Sequence, residues 1–439
     1  MMQAVDLIIS PRWLLPIEPQ GVVLENHSIA IKNGIIVAIE ATDIIKTDFI
    51  AKESLALPQH VLMPGFVNSH THAAMNLLRG ICDDIPLMTW LHNYIWPAEK
   101  KWLSDAFVHD GTQLAIAEMI KSGTTCFNDM YFFIPAAAKA VEQAGIRAAL
   151  GITVFDVPTA NGDNAQEYLN RGLPLFEQFA NHPLIQLTMA PHAIYTTSDE
   201  TLIEVRKAAE HYHAYINMHV QETQDEVAQS LAITGKRPLE RLHALGLLSE
   251  KFIAIHMTQV TPEEIELAAK THISVVHCPE SNMKLASGTC PAQALLNAGV
   301  NVALGTDGAA SNNDLDMISE MRSAALSSKL SEKNPTTISA VTALTMATLH
   351  GAKALGKDKV FGSLLAGKAA DMIAIDLNHV NTVPIYHPTS AVVYAANRQQ
   401  VSDVWVAGKR LLKDYRLTTI DEASVLNNVA EWTTRISAI

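Results

Sequence analysis

His70 and His72 stand two residues apart at the end of the apolar run VLMPGFVNSH. On an extended strand that spacing puts both imidazoles on one face, so one metal ion can take a nitrogen from each. By itself the pair reads more readily as two hydrogen-bonded loop histidines. Later apolar runs also end in ligand-type residues: His192 in MAPH, His219 in INMHV, His256 in IAIHMT, His277 in SVVHC and Asp307 in ALGTD. If these runs are parallel strands of one barrel, their C-terminal ends open on a single face and the side chains converge there. The chemistry expected is that of a metal centre made of imidazoles and a carboxylate. A zinc site built on paired cysteines is absent, because Cys278 is followed by Pro279 and no second cysteine stands at the needed spacing.

The elements that would position these residues follow a regular rhythm. Eight buried-strand runs, VLMPGFVNSH, GTTCFND, RAALGITV, IQLTMAPH, YINMHV, FIAIHMT, ISVVHC and NVALGTD, alternate with helix candidates such as DGTQLAIAEMIKSG and SDETLIEVRKAAEHYH. Eight such units fit a closed (β/α)8 barrel of the TIM type, expected over 59–359. Both ends of the chain instead show short strands and tight turns, so 1–58 and 360–439 are expected to pair into a small composite β-sandwich domain.

Composition narrows the partners. Among 439 residues, 32 Lys and Arg face 45 Asp and Glu, a formal charge of 32 − 45 = −13, with no basic block. Nucleic acid is therefore not an expected partner. The opening segment lacks a basic, cleavable leader and every apolar run is interrupted short of membrane-spanning length, so neither export nor a membrane partner is expected. Cys82, Cys126, Cys278 and Cys290 form no CxxC pair, which fits reduced thiols in a cytoplasm.

Taken in order, MPGFVNSHTH, MHVQE, IAIHMT, HCPESN, GTDGAASNN and GKAADMIAID resemble the amidohydrolase superfamily. Within it they resemble the 5-methylthioadenosine/S-adenosylhomocysteine deaminases, over essentially the whole chain. The resemblance implies one zinc per subunit, held by His70, His72, His219 and Asp307, that lowers the pKa of its water. It implies that Asp307 also takes a proton from that water, and that Glu222 protonates purine N1 as hydroxide adds at C6. Both carboxylates thereby touch substrate. His256 resembles the histidine that steadies the attacking water, with a fourth histidine ligand as the other reading. Glu99 matches the carboxylate that holds the ribose hydroxyls, and His192 the histidine at the purine ring. On pattern alone, Glu222 is also readable as a solvated helix-start charge and Glu99 as a surface charge.

Binuclear relatives carry a bridging lysine at a middle strand end. RAALGITV and IQLTMAPH end without one, which favours a single metal. One departure stands out: GITVFDVPTANGDNAQEYL offers no arginine before Arg171, whereas a homocysteine carboxylate calls for a bidentate guanidinium. For Trp90, Trp96 and Trp102, helix core or a subunit contact is the expected reading, ahead of a lid over an apolar 5-substituent.

The activity expected is hydrolytic deamination of a 6-aminopurine nucleoside of the 5-methylthioadenosine, adenosine or S-adenosylhomocysteine type to its inosine analogue plus ammonia, by a cytoplasmic homo-oligomer. The alternative is deamination or dechlorination of a free aromatic base of the guanine or s-triazine type. A non-catalytic scaffold built on the same barrel is disfavoured by the complete set of candidate residues.

Overall fold

A computed structural model describes residues 2–437. Strands β1 (Phe66–Thr71), β2 (Thr124–Tyr131), β3 (Arg147–Val154), β4 (Ile185–Pro191), β5 (Ile216–Val220), β6 (Phe252–His256), β7 (Ser274–His277) and β8 (Asn301–Leu304) run parallel, each hydrogen-bonded to the next. These are the eight expected runs. Almost every residue in them is buried, because helices cover the outside of the ring and side chains fill its inside. The two helix candidates form Asp105–Lys121 and Asp199–Tyr212, started by Ser104 and Ser198, whose side chains accept from Phe107 N and Thr201 N.

The ring closes between β8 and β1 through a short seam. Asp307 N–H donates to His70 O at 3.0 Å. The Asn68 side chain accepts from Thr306 N–H at 3.0 Å and donates to Thr306 Oγ1 at 2.8 Å. A side chain here does what a regular ladder does elsewhere. Only glycine fits at 305, where a Cβ would stand 2.7 Å from His70 N.

The terminal segments build a second, mixed sheet of nine strands. Phe49–Pro64 is its spine: it lies parallel to Gln3–Leu14 and antiparallel to Met372–Asp376, with Met372 opposite Pro64. This strand runs past the boundary expected at 58, and the run VLMPGFVNSH divides between two sheets. The change occurs at Gly65, whose N–H reaches Asp371 O at 3.1 Å and where a Cβ would meet the Thr125 side chain at 2.1 Å. Burial is continuous across the junction, so hydrophobicity carried no sign of it.

Candidate metal centre and active site

The ends of β1, β5 and β8 bring four of the candidate residues together. Asp307 Oδ1 stands 3.3 Å from His70 Nε2 and 3.2 Å from His72 Nε2, and His219 Nε2 stands 3.1 Å from His70 Nε2. One donor atom from each of the four lies within 4.8 Å of all the others. Zinc with bonds of about 2.0–2.1 Å in a tetrahedral shell spaces its ligand atoms roughly 3.3 Å apart, so this donor set fits a single ion. Burial pushes His70 down to about 4 and His219 well below the ordinary histidine range, which leaves both neutral, as ligation requires. Burial also acts to lower His72, but the Asp307 carboxylate outweighs it and holds the ring up at about 9.

The supports of these ligands are ordered. His72 Nδ1 donates to Met130 O at 2.6 Å, which turns Nε2 toward the other three. Asp307 Oδ2 accepts from Ser281 Oγ at 2.7 Å and Ser311 Oγ at 2.9 Å, and Oδ1 accepts from Gly308 N at 2.8 Å. Asp307 and His256 both have left-handed backbones, with φ of +62° and +73°, a strained conformation that clusters at functional sites.

His256 lies beside the ligand group and is not one of its four members. Its ring stacks on His219 at 5.3 Å, Nδ1 donates to Asn282 Oδ1 at 3.0 Å, and Nε2 stands 3.8 Å from Glu222 Oε2. Glu222 is 7% exposed, not a solvated surface charge, and burial pushes its carboxyl upward.

A cavity opens over the ligands and is also lined by Glu99, His192, Glu222 and His256. Glu99 accepts from Tyr131 OH at 2.7 Å, and desolvation pushes its carboxyl up to about 7. His192 is stacked on Phe155 at 4.7 Å, pinned at Nδ1 by Thr196 Oγ1 at 3.0 Å, and lowered to about 3 by burial. Trp90 belongs to the buried core and Trp96 and Trp102 pack against it, as expected; Trp90 and Trp96 also line this cavity, and Trp102 does not. Between those two the helix widens into a π turn, Leu91–Ile95.

Trp96, Glu99, Phe132, Phe155 and Tyr195 also line an outer chamber, continued by Met88, Val157 and Pro158. Lys100 is its cation nearest in sequence to Glu99. Arg171 lines neither space: it donates to Asn161 O at 2.9 Å and pairs with Glu167 on the surface. His277 is buried away from the cavity.

Several site residues were not singled out in the sequence. Asp129, whose Oδ1 takes the Ala73 N–H at 2.7 Å, ends the run GTTCFND and obeys the same strand-end rule as the ligands. Tyr131, Ser281 and Ser311 carried no such signal.

A model of the amidohydrolase family matches residues 61–411. The chain is 45% identical over 434 residues to a 5-methylthioadenosine/S-adenosylhomocysteine deaminase of Teredinibacter turnerae, covering 99% of this chain and 98% of that protein. The crystal structure of an adenosine deaminase from Xanthomonas campestris with bound zinc superposes with a TM-score of 0.99 at 47% identity over 100% of both chains. A mutant atrazine chlorohydrolase of Arthrobacter aurescens complexed with zinc and atraton has a TM-score of 0.91 over 97% of this chain and 100% of that one, at 21% identity, and shares the fold alone.

Proposed function

Because the chain belongs to the amidohydrolase family, with full-length relatives named 5-methylthioadenosine/S-adenosylhomocysteine deaminase, we propose that it hydrolyses the 6-amino group of an adenosine-type nucleoside to give the inosine analogue and ammonia. The observation that carries the reading is one cavity that brings together a metal-type donor set, a buried carboxyl at Glu222 whose proton affinity burial raises, and a second carboxyl at Glu99.

A zinc ion held by His70, His72, His219 and Asp307 would supply Lewis acidity that brings the pKa of water toward neutrality. Glu222 holds a proton and delivers it to ring N1 as hydroxide adds at C6, a role its raised proton affinity suits. His256 is fixed by Asn282 with Nε2 toward Glu222, and orients the attacking water. Asp307 accepts the proton that water gives up and passes it to the departing amino group, which leaves as ammonia, while the proton on the new C6 oxygen returns to Glu222. Ser281 and Ser311 keep its second oxygen in place. His192 borders the purine, and Glu99 accepts from the ribose hydroxyls.

The outer chamber favours an apolar 5-substituent. Its wall is largely aromatic and aliphatic and offers no guanidinium for an amino-acid carboxylate, so methylthioadenosine is the better fit than S-adenosylhomocysteine. Free guanine or a triazine would leave Glu99 without a diol to bind. Ammonia release from methylthioadenosine, adenosine, S-adenosylhomocysteine, guanine and cytosine tests the reading: turnover confined to the free bases would overturn it.

The proposal extends to the molecule's organisation. We assign 65–359 to the catalytic barrel, and 1–64 with 360–439 to a composite sandwich, the expected boundary at 58 moving to Gly65 because Phe49–Pro64 lies in the terminal sheet. Alternation in the terminal sheet supports this: Leu7, Ile9, Ile29 and Ile31 pack with Trp405 on one side, while Ile8 and Ala30 pack with Ile45 on the other. A cytoplasmic homo-oligomer acting on a small purine nucleoside is the assembly proposed, with exposed Leu326 and Leu330 one turn apart on Met317–Ser331 as an oligomer contact. Among the described residues no helix is long and apolar enough to cross a membrane.

A further inference from the structure

Glu226 is a buried carboxylate, 4% exposed, that the reaction scheme leaves without a task. Its two oxygens accept from consecutive backbone amides: Oε1 from Gln221 N–H at 3.0 Å and Oε2 from Glu222 N–H at 2.7 Å. Glutamate at the third position of a helix commonly turns back onto the amide of the capping residue. In the helix Gln224–Thr234, Thr223 is that cap and accepts from Glu226 N at 3.2 Å, yet the Glu226 carboxylate reaches past it to the two amides before it. Burial raises the proton affinity of this carboxyl, while the backbone N–H groups that both of its oxygens accept from favour the ionised form.

The same peptide is gripped from its other side. Gln221 O accepts from Thr258 N at 3.1 Å and Gln259 N at 3.2 Å, in the loop that begins at His256. Thr258 Oγ1 donates to Glu222 O at 2.7 Å, and the Gln221 side chain donates to Gln259 O at 2.7 Å. Gln221 is held with φ of +53°, a conformation a non-glycine residue keeps only when its surroundings enforce it. The direction in which Glu222 leaves the backbone is thus set by Glu226 on the amide side and by the His256 loop on the carbonyl side.

We propose that Glu226 is a positioning residue for the reaction: its carboxylate, clamped on the amides of Gln221 and Glu222, fixes where the Glu222 carboxyl stands relative to His256 and the substrate ring. The inference rests on Glu222 being the acid of the proposed reaction. A misplacement of about 1 Å at such a group costs on the order of a hundredfold in rate.

Glu226→Gln keeps the shape but sets an NH2 donor against an N–H donor, so one grip is lost. In the zinc-loaded enzyme, kcat is expected to fall about 10- to 100-fold, the range for groups that support an active-site residue, with KM and zinc content little changed. Glu226→Ala, which removes both bonds without opposing donors, is measured in parallel and should show the same split. The deciding measurement is the double variant: Glu226→Gln placed in a Glu222→Gln background should cost little further rate, because Glu226 acts only through Glu222. An equal loss in both backgrounds, or an unchanged kcat with a lowered Tm, would overturn the clamp. A wild type inactive on every nucleoside, or a Glu222→Gln enzyme as fast as wild type, would instead defeat the assignment of Glu222 itself.

Discussion

The backbone N–H of Asp307 donates to the carbonyl of His70 at 3.0 Å, while Oδ1 of that aspartate stands 3.3 Å from Nε2 of that histidine. The pair that closes the barrel is also half of the donor set. Any change that widens the seam between β8 and β1 must separate the ligands.

Gly305→Ala tests this coupling. Its Cβ would meet His70 N at 2.7 Å and Val276 Cγ1 at 2.9 Å, both in packed surroundings. A loss of about 1–3 kcal/mol in stability is expected from overpacking, read by denaturant melts. Zinc affinity should fall about 10- to 100-fold in a competition titration. Normal zinc affinity in a destabilised variant would uncouple seam from site.

Glu222→Gln should keep its zinc and lose roughly 10²- to 10⁴-fold in kcat, the contribution of a positioned general acid. Steady-state rates together with metal analysis check it, and a near-normal rate removes the role.

Metal removal gives a further expectation. Dialysis against a chelator should abolish turnover and lower Tm, since an ion bound at 100 times its Kd stabilises by about 2.7 kcal/mol. One equivalent of zinc per chain should restore both; a requirement for two would refute the single-ion site.

Glu99 predicts a pH dependence. Its carboxyl is raised from 4.5 to about 7, so nucleoside binding, which needs the ionised acceptor, should tighten as pH rises through 7. KM measured from pH 6 to 8 is expected to fall, and Glu99→Gln should give a higher and flatter KM. The stability linkage has the opposite sense: between 4.5 and about 7 the native state holds a proton that the unfolded chain has lost, so this group makes stability decline as pH rises across that window.

The donor set was legible because a parallel barrel converts residues far apart in sequence into neighbours by one rule, that strand ends share a face. His70, His72, His219 and Asp307 all obey it. Positions fixed by hydrogen bonding rather than by strand register were not legible. Glu226 looked like any helix-start glutamate, and Ser281 and Ser311 like loop hydroxyls, because only folding reveals which amide or carboxylate each one meets. Trp90 and Trp96 were read as packing residues for a related reason: helical periodicity marks an apolar face without saying whether a wall or a cavity lies opposite. The junction at Gly65 was hidden by uninterrupted burial on both sides.

The placement of Met372 opposite Pro64 bears on how the chain comes off the ribosome. At roughly 5–20 residues per second, about 310 residues of synthesis leave the long strand Phe49–Pro64 with one raw edge for roughly 15–60 s. Nascent molecules therefore carry an adhesive rim through most of translation. Crowded expression should expose it as early clumping, relieved by holdase chaperones.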